Sequence, residues 1–311
     1  MKRRALCIAV LGGLVQVTGA AAALPVAAPP TAASDEPLYA TPTRLDRIGR
    51  ILAPVMINGR GPYRLVVDTG ANQSVLTTRL LADLGLLVSA DQSVTLNGVT
   101  GSAMVPTALV QTLETGDLIR HDLNLPVLDN VMGGADGILG MEDLGGKRIT
   151  VDFARDRIEI ERSRGQRASW SYLTIPATLR FGRLLVVDAR VGGLPVKAVI
   201  DTGAERTLGN LALRDALLRR RPSDPEFATA QVIGLTAAEQ TGEMRRTPVI
   251  SLGEAEVSGV DVTYGDIYVF QLWKLEDRPA MLIGMDVLGL LDRLIIDYRR
   301  EELQIRRRPG S

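Results

Sequence analysis

The chain has 311 residues, with 36 basic and 36 acidic side chains and a net charge of zero, so nothing in it favours a nucleic-acid partner. A hydrophobic share of 46% beside 23% charged residues supports one large or two medium globular domains, and aromatics at 4% leave their cores to Val, Leu, Ile and Ala. With a single Cys and a single His, no multi-His metal centre can be built, no metal or cofactor is expected, and acid–base work falls to carboxylates.

In chain order, Lys2, Arg3 and Arg4 precede the apolar stretch "ALCIAVLGGLVQV" and the small-residue run "TGAAAAL", the pattern of a cleavable export signal over residues 1–23. The mature protein is then periplasmic or secreted, and Cys7 is lost on processing. An uncleaved anchor is the alternative, and only then is a membrane a partner. Gly12, Gly13, Gln16, Thr18 and Gly19 make the segment a poor span. Residues 24–42 are Pro- and Ala-rich and read as a flexible linker.

From there the sequence is written twice, which predicts an N-terminal lobe at 43–162, a polar linker at 163–170 overlapping "ERSRGQRAS", and a C-terminal lobe at 171–311. Each copy opens on a hairpin signal, "MINGRGPYRLVVD" or "RVGGLPVKAVID". A short helix follows, "TTRLLADLGL" or "NLALRDALL", with Leu80, Leu81 and Leu84, and Leu211, Leu213 and Leu217, as core. Next comes a glycine-bearing strand–turn–strand, "VTLNGVTGSAMV" or "QVIGLTAAEQTGEM". His121 is read in a polar turn, "LIRHDLN". An apolar strand ending in "GILG" or "MLIG" leads to a short helical turn, "MEDL" or "MDVL", whose acids suit a helix N-terminus. The hairpin "ITVDFARDRIEI" or "LIIDYRREELQI" closes each half, with Asp152 and Asp297 as turn residues. Asp136 has no acidic counterpart. Both lobes are mostly strand.

The residues that carry chemistry are "VVDTGANQSVL" and "AVIDTGAERTL", in which a β-branched run delivers Asp68 or Asp201 into a Thr-Gly turn. Gly70 and Gly203 allow the sharp bend and close approach of another chain. Thr69 and Thr202 can lock the turn through backbone hydrogen bonds. If a pseudo-twofold axis relates the lobes, like motifs meet on it. Two carboxylates so placed cannot both ionise, and their pKa values separate. Such a pair can hydrolyse an amide, one carboxylate activating water while its protonated partner hydrogen-bonds the carbonyl oxygen.

These motifs resemble the active-site loop of the aspartic peptidases of the retropepsin and pepsin superfamily: two apolar residues, Asp-Thr-Gly-Ala, and a Ser or Thr six residues after the Asp. "GILG" and "MLIG" resemble the later element that packs behind that loop. The resemblance runs from about Val55 to Ile305 and implies an all-β fold of two retropepsin-like barrel lobes, related by a pseudo-twofold axis with a cleft between them. By position it implies Asp68 and Asp201 as the catalytic dyad. Thr69, Gly70, Ser74, Thr202, Gly203 and Thr207 would support the loops, and Asn72 and Glu205 would hold the substrate backbone. The hairpins Asn97–Gly101 and Ile233–Ala237 would be flaps, bringing Gly98 and Gly234 against substrate without the flap Tyr of pepsin-like enzymes. The implied activity is that of an aspartic endopeptidase acting on a peptide or protein, a monomer because both halves lie in one chain. A peptide-binding protein without turnover, and a peptidase restricted to one client or to self-processing, remain open. Ala71 and Ala204 stand where pepsins place a hydroxyl. Without it the dyad pKa values should rise, which predicts activity at weakly acidic to neutral pH.

Overall fold

A computed structural model describes residues 49–307, apart from 132, 143, 145, 156 and 222–226, together with the backbone of the short strands Cys7–Ile8, Thr41–Pro42 and Arg44–Leu45. Those short strands aside, the expected export signal and linker lie outside the described residues. Among the described residues no helix is long and apolar enough to cross a membrane.

The fold is all-β, in two related halves. In the first, Ile51–Ile57 and Arg60–Val67 pair antiparallel around Asn58 and Gly59, whose φ values of 50° and 70° are those of an Asn-Gly hairpin turn. Leu184–Val191 and Leu194–Ile200 repeat the hairpin around Gly192 and Gly193. Each second strand turns fully inward at its apolar end, where Leu65–Val67 and Ala198–Ile200 are buried. That end lies parallel to the later apolar strand, Gly137–Leu139 in one half and Ala280–Ile283 in the other. The sheet of the first half folds back on itself, because Ser102–Thr115 pairs both with its hairpin partners and with Ile51–Ile57.

The two closing hairpins join the halves. Lys147–Asp152 runs antiparallel to Leu291–Asp297, with Ile149 opposite Ile296, Thr150 opposite Ile295 and Val151 opposite Leu294. In the repeat, Ile149 corresponds to Leu294 and Val151 to Ile296, so the pairing maps onto itself about Thr150 and Ile295. This is the self-complementary contact of a twofold axis. The second copy has one more residue between its Gly and its Asp than the first, and the ladder absorbs it in the register shift between Leu291 and Arg293. Asp152 and Asp297 serve their hairpin tips: each Oδ1 accepts the N–H three residues on, from Arg155 at 3.0 Å and Arg300 at 3.1 Å.

Three expectations need correction. His121 lies in the strand Leu118–Leu128 opposite Thr112, exposed but not in a turn, because the bend falls earlier, at Gly116. The segment after "GILG" forms no helix among its described residues, whereas Met285–Leu288 does. Glu142 turns instead to the backbone of Ser74. In the helix Leu211–Arg220 the buried residues are Leu213 and Ala216, one turn apart, while Leu211 and Leu217 are half-buried at the stripe's margins. The helix Thr78–Leu84, capped by the Thr77 hydroxyl and closed by left-handed Gly85, buries all three of its leucines.

Candidate active site

The inward-turning strands deliver both aspartates to the centre of the molecule. The Asp68 N–H donates to the Leu139 carbonyl at 3.1 Å and the Asp201 N–H to that of Ile283 at 3.0 Å, so each motif is fixed by the parallel strand beside it. In each turn Oδ1 of the Asp accepts the Gly N–H two residues on, at 2.8 Å for both Gly70 and Gly203. Asp201 Oδ1 also accepts the Ala204 N–H at 3.0 Å.

Beneath the carboxylates the threonines cross from lobe to lobe. Thr69 Oγ1 donates to the Ile200 carbonyl at 2.8 Å and accepts the Thr202 N–H at 3.0 Å. Thr202 Oγ1 donates to the Val67 carbonyl at 2.6 Å and accepts the Thr69 N–H at 3.1 Å. Glycine is required beside them, since a Cβ on Gly70 would overlap the Asp201 carboxyl and one on Gly203 would overlap that of Asp68. The two carboxyl groups therefore face each other across the pseudo-twofold axis, fully buried.

Their electrostatics follow from that placement. Burial raises Asp68 to about 7, against smaller opposing effects from its hydrogen bond with Asp201, the Gly70 N–H and the Arg50 charge. Burial also raises Asp201, and the Asp68 charge and hydrogen bond push it higher still. Oδ2 of each has no donor among the described residues, so a hydrogen bond between the carboxyls requires one proton held in common. The pair titrates as a unit and retains a proton well above the ordinary carboxylate range.

Ser74 and Thr207 stand one layer behind. The Ser74 hydroxyl accepts the Gly140 N–H at 3.0 Å, and the Ser74 N–H donates to Glu142 Oε1 at 2.9 Å. In the other half the Thr207 hydroxyl accepts the Gly284 N–H at 3.1 Å and donates to Asp286 Oδ1 at 2.6 Å, and its N–H donates to Oδ2 at 3.0 Å. Glu142 and Asp286 are the residues that sequence reasoning missed, having been assigned to helix N-termini. Asp286 does lie in a first helical turn, but both acids brace the aspartate loops. An acid two residues after each strand-end glycine was the available signal. Burial raises the pKa of both. Arg50 was missed as well. It precedes Asp68 by the same 18 residues that separate Arg183 from Asp201, yet Arg50 is fully buried and Arg183 exposed.

Asn72 and Glu205 are half-buried beside the loops. Asn72 Nδ2 donates to the Phe181 carbonyl of the other half at 3.3 Å, while Glu205 Oε1 lies 3.6 Å from Arg206 Nε, so the two positions are engaged differently. A cavity of about 350 Å³ opens beside Asn72, bounded also by Gln73, Arg120, Glu142 and Gly182.

Both expected flaps are present as hairpins, Ser89–Asn97 with Ser102–Thr115 and Ala228–Ile233 with Glu239–Arg246, and their tips meet. Thr100 Oγ1 donates to the Ala238 carbonyl at 2.6 Å and accepts the Gly234 N–H at 3.0 Å. Gly98 packs against Thr236. Val99 is seated in the apolar cluster of the second half with Leu184, Ile267 and Leu282, and Leu235 in that of the first with Leu52, Val75 and Ile138. Gly98 and Gly234 are thus brought to the axis together, each buried under the opposite flap.

No curated protein matches the chain in a sequence search. A family model described as aspartyl protease matches it in two segments, residues 53–142 and 187–287, which together exceed half of its length. Each segment holds one Asp-Thr-Gly turn, its flap and its glycine-ended strand. The chain belongs to the aspartyl protease family, with two retropepsin-like halves in one polypeptide.

Proposed function

We propose that the protein is an aspartic endopeptidase in which Asp68 and Asp201 are the catalytic dyad. The observation that carries this is the pair of buried carboxyl groups, one from each half, that must hold one proton between them. Water bound between them would lose a proton to the ionised carboxylate as it attacks the scissile carbonyl. The protonated partner would hydrogen-bond the carbonyl oxygen as charge develops there, then pass its proton to the leaving nitrogen. The two carboxyls share these roles as a pair, one acting as base while the other holds the proton. The loop-bracing contacts of Ser74, Thr207, Glu142 and Asp286 would keep the carboxyls aligned, and Asn72, Glu205, Gly98 and Gly234 would line the substrate's path.

The interlocked flaps favour a narrower form of the same reading, a peptidase with few clients. Entry of a peptide must break the Thr100 contacts and withdraw Val99 and Leu235 from the clusters they fill. We further propose that the protein acts after export, in a periplasm-like space or outside the cell. Incubating the mature protein with a diverse peptide library tests the function. Wild type is expected to cleave a restricted set, and Asp68→Asn and Asp201→Asn none. Equal cleavage by all three, or by none of them at any pH, rules the reading out.

A further inference from the structure

We propose that a basic groove in the C-terminal half docks an acidic segment of the polypeptide substrate beyond the cleft; the word substrate rests on the peptidase reading above. The groove encloses about 350 Å³. Arg180, Lys197, Lys274 and Arg278 stand around it, against one carboxylate, Asp188, which lies 2.5 Å from Lys197 Nζ and neutralises it. The side chains of Arg180, Lys274 and Arg278 make no ion pair or hydrogen bond with any described residue, and all three are exposed. Glu276 and Asp277 lie in the same loop but do not line the groove, so three like charges stand around it without an ion pair, and an anionic ligand relieves their repulsion.

The walls say what kind of anion. Phe181 stacks on Trp273 with ring centroids 5.4 Å apart, and Val186 and Leu275 continue the apolar surface. A small oxyanion is gripped by donors that converge on one point. Here the cations line the groove together with Phe181, Val186, Trp273 and Leu275, which suits an extended peptide that presents acidic and apolar side chains in turn.

The groove shares Phe181 with the surroundings of Asn72. Phe181, its inner wall, accepts the Asn72 hydrogen bond through its carbonyl and packs on the apolar cluster that receives Val99 of the flap. The turn that presents it is held in an unusual backbone, with φ of 51°, 83° and 89° at Phe181, Gly182 and Arg183. A chain leaving the cleft past Asn72 would meet Phe181, which the groove shares with its cations.

The test is direct binding, read by fluorescence anisotropy on full-length Asp201→Asn protein, so that no turnover intervenes. The probes are a labelled peptide alternating Glu with Leu, its Gln–Leu counterpart, and a single-stranded oligonucleotide of the same charge as the Glu peptide. The Glu peptide is expected to bind at least about tenfold more tightly than the Gln peptide at low salt, and to lose that preference in about 0.5 M salt. Arg180→Glu with Lys274→Glu and Arg278→Glu should abolish the preference, and the mild surface change Arg278→Gln alone should reduce it. Equal binding of the two peptides, or a preference that survives charge reversal, overturns the proposal. An oligonucleotide bound as tightly as the Glu peptide also overturns it, by showing a site for any polyanion. Absence of wild-type cleavage would instead remove the peptidase reading and leave this binding result standing.

Discussion

At the residue scale the site is defined by a proton that neither aspartate can give up alone. Two of the positions around it are Ala71 and Ala204, both fully buried and able to offer only backbone N–H groups. The acidic limb of the pH–rate profile should therefore lie well above the usual carboxylate range, with an optimum at weakly acidic to neutral pH. A maximum near pH 2 to 3, where pepsin-type dyads work, would contradict this. Ala204→Ser supplies a hydroxyl beside Asp201 and should move the acidic limb down by up to about one unit. The same burial has a consequence for stability. Folded Asp68 holds its proton up to about pH 7, whereas an unfolded Asp loses it near 3.8, so stability falls as pH rises between those values. Asp201→Asn removes one of the two charges. Its melting temperature should match wild type near pH 4 and exceed it increasingly toward pH 7, as read by circular dichroism. The paired aspartates, threonines and glycines were all legible in the sequence because each repeats in a fixed local pattern. Glu142 and Asp286 were not, because their role depends on a strand far away in sequence lying behind the loop.

At the element scale the flaps are the least local feature. Each hairpin could be read from its glycines and strand alternation, but not that its tip would insert into the other half. That insertion joins residues more than 130 positions apart, such as Thr100 and Ala238. Thr100→Val keeps the shape of the side chain and deletes both hydrogen bonds to the opposite flap. Amide hydrogen exchange at 98–101 and 234–238 should accelerate by roughly five- to thirtyfold, the effect of one or two net hydrogen bonds. Unchanged exchange would mean that apolar packing of Val99 and Leu235 alone holds the flaps. Gly234→Ala acts on the same contact from the other side, because its new Cβ would run into the Thr100 hydroxyl. The short helix expected after "GILG" failed for a related reason: a tertiary contact from Glu142 to Ser74 outweighs a weak local preference.

At the scale of the whole molecule, the duplication was plain in the sequence and the joining of the halves was not. Periodicity marks the closing hairpins as strands but cannot name their partners, and it is the pairing of Lys147–Asp152 with Leu291–Asp297 that sets the axis on which the aspartates meet. Thr150→Pro, at the centre of that ladder, should destabilise the protein by about 1–3 kcal/mol, measured by denaturant unfolding, since it removes a ladder N–H and leaves its buried acceptor unpaired. Because the threonine lattice and the dyad straddle the same axis, activity should fall with stability in that variant. The measurement that bears most directly on the account compares cleavage rates of wild type, Asp68→Asn, Asp201→Asn and the double variant on one library-selected peptide. If the two carboxyls act as a unit, each single change should lower the rate by about a thousandfold or more, and the double change should lower it no further. A single variant that keeps a substantial fraction of the wild-type rate, or losses that multiply in the double variant, would contradict a shared-proton site.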